Sequence, residues 1–213
     1  MSQNIFSLDG LMYDRVWEEL YDCYISREID ETSEFVHKLN YCGHVVKLQY
    51  FLNLGYKNIE DFFGSISWLK PRIIFYETDP NIKISEVEGD DKEYGAEFLD
   101  HYSIHLHRVE NAIAINNTNA TINFPLLNCN EDSTTSWYKL KDGQILDTGY
   151  LSRTEDSSVE LIEETNLKDR QCNLMRMDRW HSVKNNTGKR RVIANWDFHH
   201  YVPWDDAVEL LIR

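Results

Sequence analysis

The segment Trp180-His-Ser-Val-Lys-Asn-Asn-Thr-Gly-Lys-Arg-Arg-Val-Ile-Ala-Asn-Trp-Asp-Phe198 joins two runs rich in β-branched and aromatic residues through a polar turn. That composition predicts two antiparallel strands, because Val, Ile and Trp suit a pleated surface while Asn and Gly tolerate a chain reversal. His181 lies in the first strand, and Arg191 opens the second ten residues later. In a jelly roll, that separation places both side chains on the interior faces of adjacent strands. A neutral imidazole there can ligate a metal. A guanidinium deeper in the barrel can clamp a carboxylate through two parallel hydrogen bonds. The bland alternatives are a histidine on an ordinary hairpin and an arginine that guards a strand edge beside Arg190. Alternation does not separate them, since the phases Val192/Ala194/Trp196 and Ile193/Asn195/Asp197 both contain apolar residues.

Strand character extends upstream to Pro71. Arg72–Thr78, Ile82–Val87, Ser103–His107, Ala112–Ile115, Thr121–Leu127, Thr134–Leu140, Ser158–Ile162 and Asn173–Met177 are short candidates with turn residues between them. Short strands at a spacing of roughly 8–12 residues predict a sandwich or barrel. Before Pro71, Leu11–Ile25, Thr32–Leu39 and Ile59–Phe63 carry apolar residues at helical intervals, and a short helix follows Pro203. The expected fold is mainly β: a double-stranded β-helix (jelly roll, cupin-like) with N-terminal helices packed on the barrel. No linker, repeat or low-complexity tract interrupts the chain, so residues 1–213 read as a single domain. Its expected parts are a helical N-terminal part over 1–70, a β-helix core over 71–198 and a C-terminal segment over 199–213.

Twenty-two basic residues against 36 acidic ones give a net charge of −14, which repels a phosphate backbone and disfavours nucleic acid as a partner. Four cysteines with no C-x-x-C spacing read as reduced, buried thiols, as in the cytosol. The N-terminus lacks a basic and apolar leader pattern, and no stretch approaches the roughly 18 apolar residues of a membrane span. A cytoplasmic location with no membrane partner is therefore expected, and the N-x-S/T triplets at Asn116, Asn119 and Asn185 read as chance. No P-loop, G-x-S-x-G or H-E-x-x-H pattern occurs, which leaves nucleotide-binding, serine-hydrolase and zincin readings without support.

The His181–Arg191 segment resembles the C-terminal signature of iron(II)/2-oxoglutarate-dependent oxygenases, especially the aspartyl/asparaginyl β-hydroxylase-like branch of small viral and bacterial proteins. In that family a distal His ligates iron, and an Arg about ten residues later binds the C5 carboxylate of 2-oxoglutarate. Asp197, six residues after Arg191, falls where that branch carries an Asp. Ile122-Asn-Phe-Pro-Leu-Leu-Asn-Cys-Asn-Glu-Asp-Ser-Thr-Thr-Ser-Trp-Tyr138 is similar to a strand–turn–strand unit of the same proteins. The resemblance covers about half the chain, roughly Ser103 to Phe198. It implies Fe(II) and 2-oxoglutarate as cofactor and co-substrate, and hydroxylation of a small-molecule or peptide substrate. It also selects Arg191 over Arg190. Trp137 and Tyr138 read as wall residues, with the Tyr138 hydroxyl a candidate for co-substrate contact.

The family carries an H-x-D or H-x-E motif upstream, and this chain has none; His105-Leu-His107 is nearest. Alternation puts His105 and His107 on one strand face, so they and His181 can form a three-histidine metal site. A histidine in place of the carboxylate makes that site more positive by one charge. Two alternatives stay open. Alignment to the β-hydroxylase branch puts Asn123 at the proximal ligand position, which implies a dead site, and His101, His105 and His107 can be a plain surface cluster. The rival functions are accordingly a non-catalytic barrel that binds a ligand, and a three-His cupin-type metal enzyme that does not use 2-oxoglutarate.

Overall fold

The computed structural model describes residues 3–8, 14–25, 34–35, 41–47, 55–65, 72–78, 104–107, 120–130, 132–141, 151–154, 156–198 and 202–212. Three short elements and one helix come first: β1 (Ile5–Ser7), α1 (Asp14–Ile25), β2 (Glu34–Phe35) and β3 (Tyr41–Lys47). After α2 (Lys57–Gly64) come β4 (Arg72–Thr78), β5 (Ile104–His107), β6 (Ala120–Leu127), β7 (Ser133–Leu140) and β8 (Leu151–Thr154). The chain ends with β9 (Val159–Asn166), β10 (Asn173–Arg176), β11 (Trp180–Asn185), β12 (Arg191–Asp197) and α3 (Trp204–Leu211).

The strands form a seven-stranded sheet in the order β1-β10-β6-β12-β4-β3-β2 and a five-stranded sheet in the order β8-β5-β11-β7-β9, with every pairing antiparallel. From β4 onward successive strands change sheet at each step except along β7–β8–β9. That winding makes the protein a double-stranded β-helix, mainly β with few helices, as expected.

Alternation along β12 decides where the core sits. Val192, Ala194 and Trp196 point to one side and join Ile122, Phe124, Leu174, Ile73 and Phe75 from the neighbouring strands. Over that face lie the stripe Val16, Trp17, Leu20, Cys23 and Tyr24 of α1, Ile59 of α2, and Trp204 and Ala207 of α3. The α1 stripe follows helical spacing, with one face buried and the other wet. Glu19 ties the two N-terminal helices together. Its carboxylate accepts from the Ile59 backbone N–H at 2.8 Å and from the Asn58 amide, at the positive end of α2. The main apolar core therefore lies between the helices and the large sheet. The opposite phase of β12 (Arg191, Ile193, Asn195) turns inward, between the two sheets, beside a smaller cluster of Cys129, Trp137, Leu167, Met175 and Ile193.

Four expectations need correction. β11 and β12 do not pair with each other. β11 hydrogen-bonds to β5 and β7 and β12 to β4 and β6, because the turn between them crosses from one sheet to the facing one. That crossing spans about 10 Å rather than the 4.8 Å between paired strands, and Gly188 takes a φ of +67° within it. Second, the helix expected over Thr32–Leu39 is a strand where it is described, Glu34 and Phe35 pairing with Val45 and His44, so sheet pairing overrides local spacing. Third, the N-terminal part is not purely helical, since β1, β2 and β3 extend both edges of the large sheet. Fourth, β8 had no counterpart among the expected strands. The candidates Ile82–Val87 and Ala112–Ile115 lie outside the described residues. Among the described residues no helix is long and apolar enough to cross a membrane.

Candidate functional site

His181 sits mid-strand on β11 with 2% exposure, opposite Trp137 of β7 on one side and His105 of β5 on the other. Residues paired across antiparallel strands share a sheet face, so Trp137, His181 and His105 occupy one row across three strands. Trp137 packs with Met175 and Ile193 of the large sheet, which identifies this as the inner face. His181 Nδ1 lies 2.7 Å from the Arg179 carbonyl oxygen. A carbonyl only accepts, so Nδ1 carries the proton and the lone pair of the neutral ring resides on Nε2. That arrangement orients metal-ligating histidines.

His107 follows His105 on the same face of β5 by alternation. The side-chain positions of His105 and His107, like all of His101, His199 and His200, lie outside the described residues. Among the described residues no group of three or more His, Cys, Asp or Glu side chains is placed to hold a metal.

Arg191 opens β12 on the inner phase with 5% exposure, whereas Arg190 is exposed. Its Nε and Nη2 are buried and have no hydrogen-bond partner among the described residues. Those two N–H groups form the side-on edge of the guanidinium, the edge that grips a carboxylate with two parallel bonds. A buried cation with that edge unmatched is costly, of order 1–3 kcal/mol per orphaned group. An anion placed against that edge would match it. The Cys129 thiol lies beside the guanidinium, and burial pushes that thiol up to about 11, with Arg191 pulling it back down. Cys129 is thus a neutral wall at physiological pH and does not compensate the guanidinium charge.

The large sheet's inner face presents a row of amides, Asn173, Asn123 and Asn195, aligned across β10, β6 and β12. Asn195 Nδ2 donates to Asn123 Oδ1 at 2.8 Å and to Thr121 Oγ1 at 2.6 Å, and Asn123 Nδ2 meets the Met175 sulfur. Asn123, the alternative proximal position, is therefore engaged within this row on the sheet opposite His181. Thr121 Oγ1 also donates to Asp197 Oδ1 at 3.3 Å.

Tyr138 lies on the other face of the small sheet. It pairs with Trp180, one residue out of phase with His181, and its hydroxyl shares a 3.0 Å hydrogen bond with Ser182. The structure brings His181 and Arg191 to the interior, pairs His105 in register with His181, and leaves the Tyr138 hydroxyl on the other face of the small sheet. Sequence reasoning passed over Ser133 and Thr135. Both are fully buried, and neither hydroxyl has a partner among the described residues. Their only signal was a hydroxyl-rich strand start, Ser133-Thr-Thr-Ser136, which ordinary β propensity also explains.

A scan against protein-family models matched no family, and a search of curated proteins found no relative. Among solved structures, the chain is similar to the epimerase SnoN in complex with Fe3+, alpha ketoglutarate and nogalamycin RO, with 13% identity over 92% of this chain and 79% of that one and a TM-score of 0.48. It is also similar to a prolyl-4-hydroxylase from Pseudomonas putida, with 12% identity over 93% of this chain and 94% of that one and a TM-score of 0.46. Oxalate decarboxylase from Bacillus subtilis shares 8% identity over 87% of this chain and 35% of its own, with a TM-score of 0.36, so the chain spans about a third of that protein. None of these similarities supplies a residue of the site.

Proposed function

We propose that this chain is an iron(II)/2-oxoglutarate-dependent oxygenase acting on a small-molecule or peptide substrate, of the aspartyl/asparaginyl β-hydroxylase-like branch. The observation that carries the proposal is the buried Nε/Nη2 edge of Arg191, unmatched among the described residues, on the inner face of the large sheet opposite the small sheet that carries His181. A dicarboxylic 2-oxo acid supplies the anion that edge requires. A metal enzyme without such a co-substrate leaves it unexplained. The proposed metal ligands are His181, through Nε2, with His105 and His107 from the adjacent strand. Bound Fe(II) and 2-oxoglutarate would supply the O2 activation that oxidises a C–H bond.

The chain's own residues do the rest. The Arg179 carbonyl fixes the imidazole's tautomer and direction. Arg191 sets the position of the co-substrate by its far carboxylate. Trp137, Met175 and Ile193 pack as an apolar cluster between the two sheets, a lining of the kind that strengthens electrostatic contacts made beside it.

Anaerobic titration of Fe(II) or Co(II), then of 2-oxoglutarate, tests the reading. Arg191→Ala and Arg191→Lys should weaken 2-oxoglutarate at least about tenfold, the effect of losing charge-assisted hydrogen bonds, with metal affinity retained. Arg190→Ala should match wild type. Single His105→Ala, His107→Ala and His181→Ala changes should each weaken the metal. Metal binding without 2-oxoglutarate would favour the three-His cupin-type enzyme, and binding of neither would favour the non-catalytic barrel.

A further inference from the structure

The amides on the inner face of the large sheet are held in one orientation by their neighbours. Thr121 Oγ1 has a single proton, and its two acceptors are Asp197 Oδ1 at 3.3 Å and the Trp196 carbonyl oxygen at 3.5 Å. With that proton spent, the hydroxyl can only accept from Asn195 at 2.6 Å, so the group facing it is the Asn195 NH2. Asn123 fixes the same choice independently. Its Nδ2 faces the Met175 sulfur, which only accepts, so its Oδ1 is left to accept from Asn195 Nδ2 at 2.8 Å. Both Asn195 amide protons are thereby used.

What remains is Asn195 Oδ1. Nothing among the described residues donates to it, and unlike Arg191 Nε and Nη2 it is not sealed from solvent, since Asn195 keeps 7% exposure. Asn173 Oδ1, two strands away in the same row, is in the same state. Amides are costly to bury, and these do not serve the apolar core, which lies on the other side of the sheet. Asn195 also stands four residues beyond Arg191 on the inner phase of β12, about 13 Å along the strand. It is clear of the carboxylate grip assigned to that guanidinium. An oxygen lone pair aimed into accessible space repels a carboxylate, as does the net charge of −14, and matches an N–H or O–H.

We propose that Asn195 is a specificity residue: its Oδ1 accepts a hydrogen bond from an N–H or O–H of a neutral or cationic substrate. Thr121 and Asn123 are the positioning residues that keep the acceptor turned inward. This deepens the oxygenase reading and rests on it for the word substrate, while the acceptor itself depends on no metal.

Ligand-observed NMR relaxation on the full chain without metal gives dissociation constants for N-methylacetamide, N,N-dimethylacetamide and acetate. Wild type should prefer N-methylacetamide over the other two by about 3- to 10-fold, the worth of one net hydrogen bond. In Asn195→Leu and Asn195→Ala the two amides should bind alike, with thermal unfolding showing which variant is folded. Co(II)-loaded Asn195→Leu should bind 2-oxoglutarate within about twofold of wild type, as a site distant from Arg191 would. Equal binding of the two amides by wild type, or an unchanged preference in a folded variant, would overturn the proposal. So would loss of the fold in both variants, which would make the amide part of the framework. A loss of 2-oxoglutarate affinity of about tenfold in Asn195→Leu would also overturn it, assigning the amide to the co-substrate. Failure of wild type to bind Co(II) or 2-oxoglutarate, with the amide preference intact, would remove the oxygenase reading and leave Asn195 as the recognition group of a non-catalytic barrel.

Discussion

Cys129 is held under opposed influences that make it a useful reporter. Burial pushes its thiol up to about 11, and the adjacent Arg191 lowers it by a smaller amount. An unfolded chain releases that proton near 9.0. Between those values the folded protein holds a proton that the unfolded chain has lost, so stability falls as pH rises through the window. Below the unfolded value the residue contributes no pH dependence. We expect the free energy of unfolding to drop between about pH 9 and 11, by an amount on the order of 2 kcal/mol at the upper end. In Cys129→Ala this part of the slope should vanish, whatever the substitution costs at neutral pH. An identical alkaline slope in the two proteins would contradict the buried, neutral thiol.

β1 shows how a three-residue strand can be consequential. Asn4, beside it, is 2% exposed and bridges both sheets. Its amide donates to Glu163 of β9 at 2.6 Å, its carbonyl oxygen Oδ1 accepts from Arg179 at 3.0 Å, and its backbone oxygen accepts from Arg176 N–H at 2.9 Å. Arg179 is the residue whose carbonyl orients His181. Asn4→Ala should cost about 1–3 kcal/mol in urea unfolding, because Glu163 and Arg179 lose a shared partner. A loss under about 0.5 kcal/mol would show that the bridge is not needed. Such long-range pairs explain what the sequence did not reveal. Strong local signals were read correctly: the α1 stripe, the β-rich runs of β6, β7 and β12, and the turn before Arg191. The sheet change at that turn, the pairing of Glu34–Phe35 with β3, and Asn4's bridge depend on partners far along the chain. The inward phase of Arg191 was ambiguous for a related reason. Both phases of β12 are buried, one under helices and one between sheets, so hydrophobic alternation carried no information. Tyr138 was misplaced by a single step of that same alternation.

Across the whole molecule, the large sheet separates stability from chemistry by its two faces. Trp196 and Phe124 are fully buried on the helix side, in contact with the tilted and edge-on rings that join α1, α2 and β6. Trp196→Ala removes a large side chain from a packed core and should cost about 3–5 kcal/mol. Arg191 lies on the same strand, five residues before it, but faces inward with two guanidinium nitrogens unmatched among the described residues. Replacing a buried, incompletely matched ion by an apolar side chain of similar length is often neutral or stabilising, by up to roughly 1–4 kcal/mol. Arg191→Met should therefore unfold at the same urea concentration as wild type or a higher one in the absence of ligand. The order should reverse when Co(II) and 2-oxoglutarate are present. Wild type should gain about 2.7 kcal/mol at a co-substrate concentration one hundred times its Kd, while Arg191→Met should gain little beyond the metal's own contribution. Parallel unfolding curves with and without 2-oxoglutarate check both halves. If Arg191→Met is strongly destabilised without ligand, the guanidinium is part of the fold, and the division between the sheet's faces does not hold at this strand.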